Sequence, residues 1–208
     1  MKFVVLGASG FSYEVTDLIH ELGHEIVAFL GKSGETGVHD LTSCPITDSL
    51  DGLAFDAFVI AIGHTSVRKS EFERLRRIAP FATLIHPSAC LSPHATIGEG
   101  CLLMQNVVVN AKAVVGANTV LNVGCCIAHD CVVGEHVHIA PGVQMGGGSS
   151  VGEGTFCGTS TVILPHVAVG AWAVCGAGAV VNKPVRDDAI VAGVPAVEIK
   201  VRQTRGVE

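Results

Sequence analysis

Aromatic residues are scarce in this chain of 208 residues, at 5% of the sequence, although hydrophobic residues make up 49% of it and glycine occurs 25 times. With so few large rings, small aliphatic side chains must fill the core in many similar, tight layers. This composition is typical of a regular β-solenoid and argues against an ordinary globular core. A chain of this length holds one large domain or two small ones.

Charged residues are also few, at 15%, and the net charge is −6. No long run of lysine or arginine occurs. Both features argue against nucleic acid or an anionic membrane surface as a partner. Small molecules and other copies of the same chain are the partners that we expect.

Long apolar runs and CxxC motifs are missing as well. No stretch approaches the ~18 apolar residues of a membrane-spanning helix. The apolar run after Lys2 is too short for the core of a signal peptide. We therefore expect no membrane insertion and a cytoplasmic location, where eight cysteines can stay reduced.

Two periods run through the second part of the chain. A hydrophobic residue recurs at every sixth position from Ile85 to Val181 without an insertion, and a small residue usually follows four places later. Glycine adds a period of three such hexads, at Gly98, Gly116, Gly134, Gly152 and Gly170. A six-residue period signifies a parallel β-helix, so one turn has three faces. Each hexad supplies one short strand and one corner, the corner at its third and fourth residues.

The six-residue period also assigns the cysteines to the inside or the outside of the helix. Cys90 and Cys126 point outward and Cys44 lies outside the repeats. The five that point inward are Cys101, Cys125, Cys131, Cys157 and Cys175. Core packing is therefore favoured over metal binding or redox chemistry.

Residues before Ile85 do not follow the six-residue period and predict a separate α/β domain. Because strands alternate with helices, we expect a small parallel sheet. The predicted strands are Lys2–Leu6, Glu25–Leu30, Phe55–Ile62 and Phe81–Ile85, and the predicted helices are Phe11–Leu22 and Ser66–Ile78. The domain boundaries are then 1–80 for this domain, 81–184 for the β-helix and 185–208 for a C-terminal tail.

The segment Gly7-Ala8-Ser9-Gly10 lies between the first strand and the first helix, where backbone amides and the helix dipole can bind phosphate. A dinucleotide fingerprint would require glycine in place of Ser12 and an acidic residue where Gly31 and Lys32 stand. A dehydrogenase is thus disfavoured. A mononucleotide or a nucleotide sugar is compatible with the segment, and so is a plain tight turn.

The run IAHDCVVGEHVH, residues 127–138, places several polar residues on the β-helix. His129 and Asp130 occupy a corner, and His138 points outward from the face opposite that corner. One chain therefore cannot bring His129 and His138 together, whereas three chains packed side by side can, which predicts a homotrimer with a site between two subunits. His136 occupies the next corner, and we expect it to be solvated.

A glycine run follows one turn after the His129 corner, with Gly147 and Gly148 directly above His129 and Asp130. We interpret the missing side chains as clearance for a slender ligand over the imidazole. Relief of strain in the turn is the alternative interpretation.

Several motifs together resemble the bacterial hexapeptide-repeat sugar acyltransferases: the hexads, IAHDCVVGEHVH, LPHVAVGAWAVCGAGAVVNKPV and the tail AGVPA behind a GASG sheet domain. That family includes sialic acid O-acetyltransferase-like proteins and the N-acetyltransferases of UDP-linked bacillosamine precursors and of GDP-perosamine. The resemblance spans nearly the whole chain. It implies a Rossmann-like domain followed by a left-handed parallel β-helix, a homotrimer, acetyl-CoA as co-substrate, no metal, and a nucleotide sugar held partly by the N-terminal domain.

The resemblance also assigns roles to individual residues. His129 corresponds to the general base and Asp130 to the acidic residue that orients it, while the N–H of His138 could hold the thioester carbonyl oxygen. The acetyl-CoA positions are His138, Gly147, Thr159, Ala177, Gly193 and Pro195, and the substrate positions are Ser9, Gly10, Phe11, Lys32, Gly63 and Asn122. The family often has histidine where Phe11 stands and acidic residues where Gly31 and Lys32 stand, so the nucleotide stays open.

The expected reaction is direct transfer of an acetyl group to a nucleotide-linked amino sugar. Histidine, with an unperturbed pKa near ~6.5, can accept the proton of the amine at neutral pH. No cysteine or serine shows the pattern of an activated nucleophile. O-acetylation of a sialic acid-type sugar is the alternative.

Two other classes are disfavoured by the same residues. A zinc hydratase of the carbonic anhydrase kind needs imidazoles that converge on one metal ion. His94, Asp130 and His166 lie in one column along the same corner. Neighbouring members of this column are two turns apart, which separates them by roughly 9.6 Å. A non-catalytic trimeric scaffold would not need the His129–Asp130 corner, the glycine run or AGVPA.

Overall fold

The computed structural model describes residues 1–201, and its first part is a five-stranded sheet with two helices. These elements are β1 (Lys2–Leu6), α1 (Phe11–Glu21), β2 (Glu25–Leu30), β3 (Gly37–Val38), β4 (Pro45–Thr47), β5 (Ala57–Ile60) and α2 (Thr65–Leu75). The strand order is β3-β4-β2-β1-β5. All neighbours pair in parallel except β3 and β4, which are antiparallel. The predicted strands of this sheet therefore pair in parallel, which confirms the expected parallel sheet, and the short strand β3 adds one antiparallel edge.

The central strand β1 is covered on both faces, as its nearly continuous apolar sequence requires. Phe3 and Val5 pack in one cluster with residues of α1, while Val4 and Leu6 pack on the other face in a cluster that contains Phe72 of α2. The strands β3 and β4 were not predicted, because elements of two or three residues are too short to show a period.

From Leu84 to Val181 the chain forms a left-handed parallel β-helix of two-residue strands, and two longer strands follow at its end. Sheet I contains β7 (Cys90–Leu91), β10 (Val108–Val109), β13 (Cys126–Ile127), β16 (Gln144–Met145), β19 (Val162–Ile163) and β22 (Val180–Val181). Sheet II contains β8 (Thr96–Ile97), β11 (Val114–Val115), β14 (Val132–Val133), β17 (Ser150–Val151) and β20 (Ala168–Val169). Sheet III contains β6 (Leu84–Ile85), β9 (Leu102–Leu103), β12 (Val120–Leu121), β15 (His138–Ile139), β18 (Phe156–Cys157), β21 (Val174–Cys175), β23 (Ala189–Ala192) and β24 (Val197–Val201).

The predicted strand Phe81–Ile85 is divided between the two parts. Phe81 makes an isolated bridge to Phe58 in the first sheet, whereas Leu84 and Ile85 form the first strand of sheet III. The predicted tail begins at residue 185, and its residues 202–208 lie outside the described part of the chain.

The corners of the β-helix lie where the hexads predict them. The fourth residue of each hexad from Gly100 to Gly178 has a positive φ. Eight of these positions carry a side chain: Asn106, Lys112, Asn118, Asp130, His136, Ser160, His166 and Trp172. The glycines that recur every three hexads are required for another reason, which is the close approach of the backbone of the next turn. A Cβ at Gly116, for example, would lie 2.6 Å from the backbone N of Glu135 in the next turn.

The inward side chains of the hexads form one continuous core that runs along the helix axis. The five cysteines predicted to point inward are all buried and all eight cysteines are free, which confirms their assignment as core residues. Within residues 1–201, neither helix is long and apolar enough to cross a membrane.

Sheet III is covered by the α/β part of the same chain. Leu84, Leu102, Met104 and Val120 of the β-helix belong to the same apolar cluster as α1. At the other side of this contact, Lys69 of α2 bonds Glu153 at 2.6 Å. The two parts therefore pack as one body along sheet III and the corner between sheets II and III.

Arg68 of α2 is buried in this contact, with 1% of its surface exposed. Its guanidinium donates five hydrogen bonds of 2.7–3.1 Å, all to backbone carbonyls: Asn118 O, Ile62 O, Gly63 O, His136 O and Val137 O. Burial lowers its pKa to about 9, so the group is still charged at neutral pH. All five N–H donors of the group are used without any carboxylate.

The expectation that His136 is solvated is wrong, since only 3% of its surface is exposed. The α/β part covers this corner, where Phe72 meets the imidazole edge to face and Asn118 Nδ2 donates to His136 Nδ1 at 2.8 Å. Burial, together with the nearby charge of Lys69, lowers the pKa of His136 to about 4.

We expect this buried histidine to make the protein less stable as the pH falls from 7 to 5. In that range the unfolded chain protonates His136 and the folded chain does not, so the free energy of unfolding falls with pH, by about 2 kcal/mol for this residue. Urea denaturation at both pH values should show that His136→Gln weakens the pH dependence. The matched change at an exposed position, His20→Gln, should not, and equal pH dependence in all three proteins would contradict the prediction.

Candidate functional site

A cleft of about 1040 Å³ opens at the carboxyl ends of β1, β2 and β5. Because β2 and β5 lie on opposite sides of β1, the strand order reverses at this point, which is where open parallel sheets bind ligands. The cleft is lined by Leu6, Gly7, Ala8, Ser9, Phe11, Leu30, Gly31, Lys32, Ser33, Glu35, Asp48, Ala61, Ile62, Gly63, His64, Val67, Glu71 and Arg74.

The loop after β1 is suited to an anion. Gly7 adopts a φ of +91°, and a Cβ there would lie 3.0 Å from Ile62 Cγ1, so this position requires glycine. Gly10 precedes the first residue of α1 and provides no side-chain cap, which leaves the positive end of the helix dipole open to a ligand. Lys32 extends from the next loop, and among residues 1–201 it forms no ion pair, whereas Arg74 is paired with Glu71.

Four of the predicted substrate positions line this cleft: Ser9, Phe11, Lys32 and Gly63. Gly10 lies at the start of α1, and Asn122 lies outside the cleft on sheet III. The sequence interpretation missed the carboxylates of Glu35 and Asp48, which accept backbone N–H bonds from Lys32 and Gly34 at 2.9 Å. Asp48 follows β4, a strand too short to be predicted, so no motif marked it.

His138 meets this cleft at Gly63. Its Nδ1 donates to Gly63 O at 3.1 Å, and its ring lies 5.8 Å from Phe11 and 5.3 Å from Phe156 between ring centroids. Burial lowers the pKa of His138 to about 3, so the imidazole is neutral. Because its single proton is on Nδ1, Nε2 can only accept a hydrogen bond. This geometry contradicts the expectation that His138 donates an N–H to a thioester oxygen.

His129 and Asp130 form a pair at the corner between sheets I and II. His129 Nδ1 donates to Asp130 Oδ2 at 2.8 Å, and their side chains are 68% and 52% exposed. This hydrogen bond lowers the pKa of Asp130, with a smaller effect from the charge of Lys112. The carboxylate therefore fixes the imidazole tautomer, which leaves Nε2 as a proton acceptor. The corner lies opposite sheet III, which confirms that one chain holds His129 and His138 apart.

The glycine run above this corner gives room to the imidazole itself. A Cβ at Gly147 would lie 2.7 Å from both Cε1 and Nε2 of His129, and a Cβ at Gly148 would lie 2.7 Å from His166 Nδ1. The interpretation of Gly147 as clearance for a ligand is corrected accordingly, because the ring of His129 occupies that space. The Gly147 amide makes no hydrogen bond within residues 1–201.

The remaining predicted positions lie apart from this corner. Thr159 and Ala177 are exposed at the corner between sheets III and I, at the other edge of sheet I from His129. Gly193 has a φ of +99°, and Pro195 follows the cis peptide bond after Val194. Among residues 1–201, no group of three or more His, Cys, Asp or Glu side chains is arranged to hold a metal ion.

Comparison with known proteins relates both parts of the chain to characterised enzymes. Residues 2–75 match the family described as the PglD N-terminal domain. The acetyltransferase domain of PglB from Neisseria gonorrhoeae is 31% identical, over 95% of this chain and 99% of that one, with a TM-score of 0.89. Perosamine N-acetyltransferase from Caulobacter crescentus, a histidine-to-asparagine variant solved with CoA and GDP-perosamine, is 29% identical over 96% and 97% of the two chains, with a TM-score of 0.90.

A curated relative matches over a shorter segment. UDP-N-acetylbacillosamine N-acetyltransferase from Bacillus subtilis is 54% identical over 48 residues. This match spans 23% of the present chain and 22% of that relative.

Proposed function

The chain belongs to the hexapeptide-repeat sugar acetyltransferase family, and we propose that it transfers the acetyl group of acetyl-CoA to the amino group of a nucleotide-linked sugar. The observation that carries this proposal is the cleft at the sheet edge, which meets His138 of the β-helix at Gly63. If the diphosphate of a nucleotide sugar binds at the loop after β1, the acceptor sugar is directed towards that histidine. The relatives solved with CoA and GDP-perosamine support a nucleotide-linked amino sugar as the acceptor.

His129 is the proposed general base and Asp130 the residue that holds its tautomer. The acceptor enters as an ammonium ion and must first lose one proton. The free amine then attacks the thioester carbonyl carbon, a C–N bond forms, and Nε2 of His129 takes the second proton. The C–S bond breaks as the carbonyl reforms, and the CoA thiolate is protonated by the imidazolium. The net products are the acetamide, CoA and one proton.

The oxyanion of the tetrahedral intermediate needs a hydrogen-bond donor. Since His138 has no free N–H, the unbonded amide of Gly147, beside the His129 ring, is the proposed donor. His138 instead accepts a hydrogen bond through Nε2. Thr159, Ala177, Gly193 and Pro195 remain proposed positions along the CoA channel, and Ser9, Gly10, Phe11, Lys32, Gly63 and Asn122 remain proposed substrate positions.

A homotrimer is proposed because the His129 corner and the His138 face point in opposite directions. In a closed ring of three chains, the corner of one subunit meets the cleft of the next, so each site joins two subunits. Residues 1–80 would then bind the nucleotide sugar, residues 81–184 the reacting groups, and residues 185–208 would close over CoA. A cytoplasmic location is proposed, since the free, buried cysteines suit a reducing compartment.

The proposed function is tested with a panel of acceptors. Purified protein and acetyl-CoA are incubated with UDP-, GDP- and dTDP-linked amino sugars and with free sialic acid, and CoA release is measured. We expect release with at least one nucleotide-linked amino sugar and none with sialic acid. Release with sialic acid alone would favour the O-acetyltransferase alternative.

Replacing Gly147 with alanine should reduce turnover without unfolding the protein. The new Cβ would lie 2.7 Å from two atoms of the His129 ring, so the ring must move. A displacement of about 1 Å can cost ~10²-fold in rate, and we expect at least ~10-fold here. Gly37→Ala is the matched control, because a Cβ there has no neighbour within 4 Å. Equal kcat in both variants would contradict the role of Gly147.

A further inference from the structure

Glu14 is a carboxylate on the face of α1 that approaches His138. It lies one helical turn after Phe11, so the two side chains are neighbours on one face of the helix. Phe11 is the residue whose ring lies 5.8 Å from that of His138. Glu14 itself is exposed. Its side chain therefore lies on the part of α1 that borders the proposed reaction site.

Asn122 holds this carboxylate in place from the β-helix. Its Oδ1 accepts a hydrogen bond from Val123 N at 2.6 Å, which turns its Nδ2 towards Glu14 Oε2 at 3.4 Å. Asn122 is 5% exposed, and its backbone N donates to Ile139 O at 2.8 Å, next to His138 in the chain. The oriented amide thus links the carboxylate to sheet III, in which His138 pairs with Val120 of the preceding turn.

The second oxygen of this carboxylate is free to bind a ligand. Within residues 1–201, Glu14 makes no ion pair, and its Oε1 accepts no hydrogen bond. The contact to Asn122 is long, so it satisfies only part of the capacity of the group. His138 is neutral, and Arg68 directs all five of its donors to carbonyls. Within the described residues, no cation therefore pairs with Glu14, which lies on the face of α1 that carries Phe11.

The charge distinguishes the two kinds of acceptor that this enzyme family uses. A sugar amine is a cation when it binds and gains positive charge again on nitrogen as it attacks the thioester, whereas a hydroxyl is neutral when it binds. A carboxylate forms charge-assisted hydrogen bonds with the former. It gives the latter no comparable gain.

We propose that Oε1 of Glu14 accepts an N–H of the acceptor's amino group and thereby selects amino sugars over hydroxyl acceptors. This inference rests on the proposed function and names the residue that decides between N- and O-acetylation. Glu14 binds and orients the amine, while His129 of the neighbouring subunit remains the base.

The test compares the wild-type protein with Glu14→Gln, which keeps the shape and the contact to Asn122 but removes the charge. Asp17→Asn, at an exposed position of the same helix one further turn away from Phe11, is the matched control. For each protein, kcat and KM are measured with the best nucleotide-linked amino sugar from the panel. The inhibition constant is measured for the same nucleotide sugar with a hydroxyl in place of the amine. The melting temperature checks that each variant is folded.

Glu14→Gln should raise KM for the amino sugar by ~10-fold or more and change the inhibition constant of the hydroxyl analogue by less than about twofold. Asp17→Asn should change neither. An unchanged KM in Glu14→Gln, or equal losses for amine and hydroxyl, would overturn the role of Glu14 and leave the proposed function intact. If the wild-type protein acetylates no nucleotide-linked amine, both proposals are refuted.

Discussion

His129→Ala should lower turnover by ~10²-fold or more while CoA binding stays close to that of the wild-type protein. The reason is that the hydrogen bond between Nδ1 and Asp130 leaves His129 Nε2 available as the proposed proton acceptor. At 68% exposure the side chain contributes little to packing. The change should therefore affect kcat and leave the fold unchanged. Steady-state kinetics and calorimetry with CoA measure the two quantities.

Asp130→Asn provides the second half of this experiment. Asparagine tolerates the positive φ of 59° at this corner, so the backbone should be preserved. It removes the charge that stabilises the imidazolium, and we expect a smaller loss of turnover than in His129→Ala. Turnover near the wild-type value in His129→Ala would refute the base assignment. Loss of CoA binding together with turnover would point instead to a disturbed corner.

Arg68→Met is expected to destabilise the folded protein by roughly 3–5 kcal/mol. Within residues 1–201, the carbonyls of Ile62, Asn118 and His136 have no hydrogen-bond donor other than Arg68. Methionine fills similar space but donates nothing, so two buried acceptors and one part-buried acceptor lose their partner, at about 1–3 kcal/mol each. The loss should loosen the Ile62–Gly63 loop, which belongs both to the cleft and to the hydrogen bond of His138.

Urea denaturation at one fixed protein concentration measures this loss, since stability depends on concentration in an oligomer. Arg77→Met is the matched control, because Arg77 is exposed and the change should stay within about 0.5 kcal/mol. Arg68→Lys should lie between the two, as an ammonium has three donors for five carbonyls. Equal stability of Arg68→Met and Arg77→Met would show that water replaces the guanidinium.

Sequence reasoning succeeded where the direction of a side chain follows from its place in a local pattern. The six-residue period predicts the inward cysteines, the positions of the corners and the separation of His129 from His138. It failed wherever the α/β part covers the β-helix. Arg68 carries no prediction of its own within the predicted helix Ser66–Ile78, and His136 is expected to be solvated, because burial by a distant segment leaves no periodic signal.

The sequence by itself therefore determined the β-helix, its corners and the place of His129 and Asp130 on one corner, because these follow from the hexad repeat and from adjacent positions in the chain. The tertiary structure decided the tautomer of His138, the burial of Arg68 and His136, the contact of Gly147 with the imidazole, and the contact of Glu14 with Asn122. These depend on the fit of particular side chains across surfaces that do not repeat. Such a fit is set by the positions of atoms that are distant in sequence.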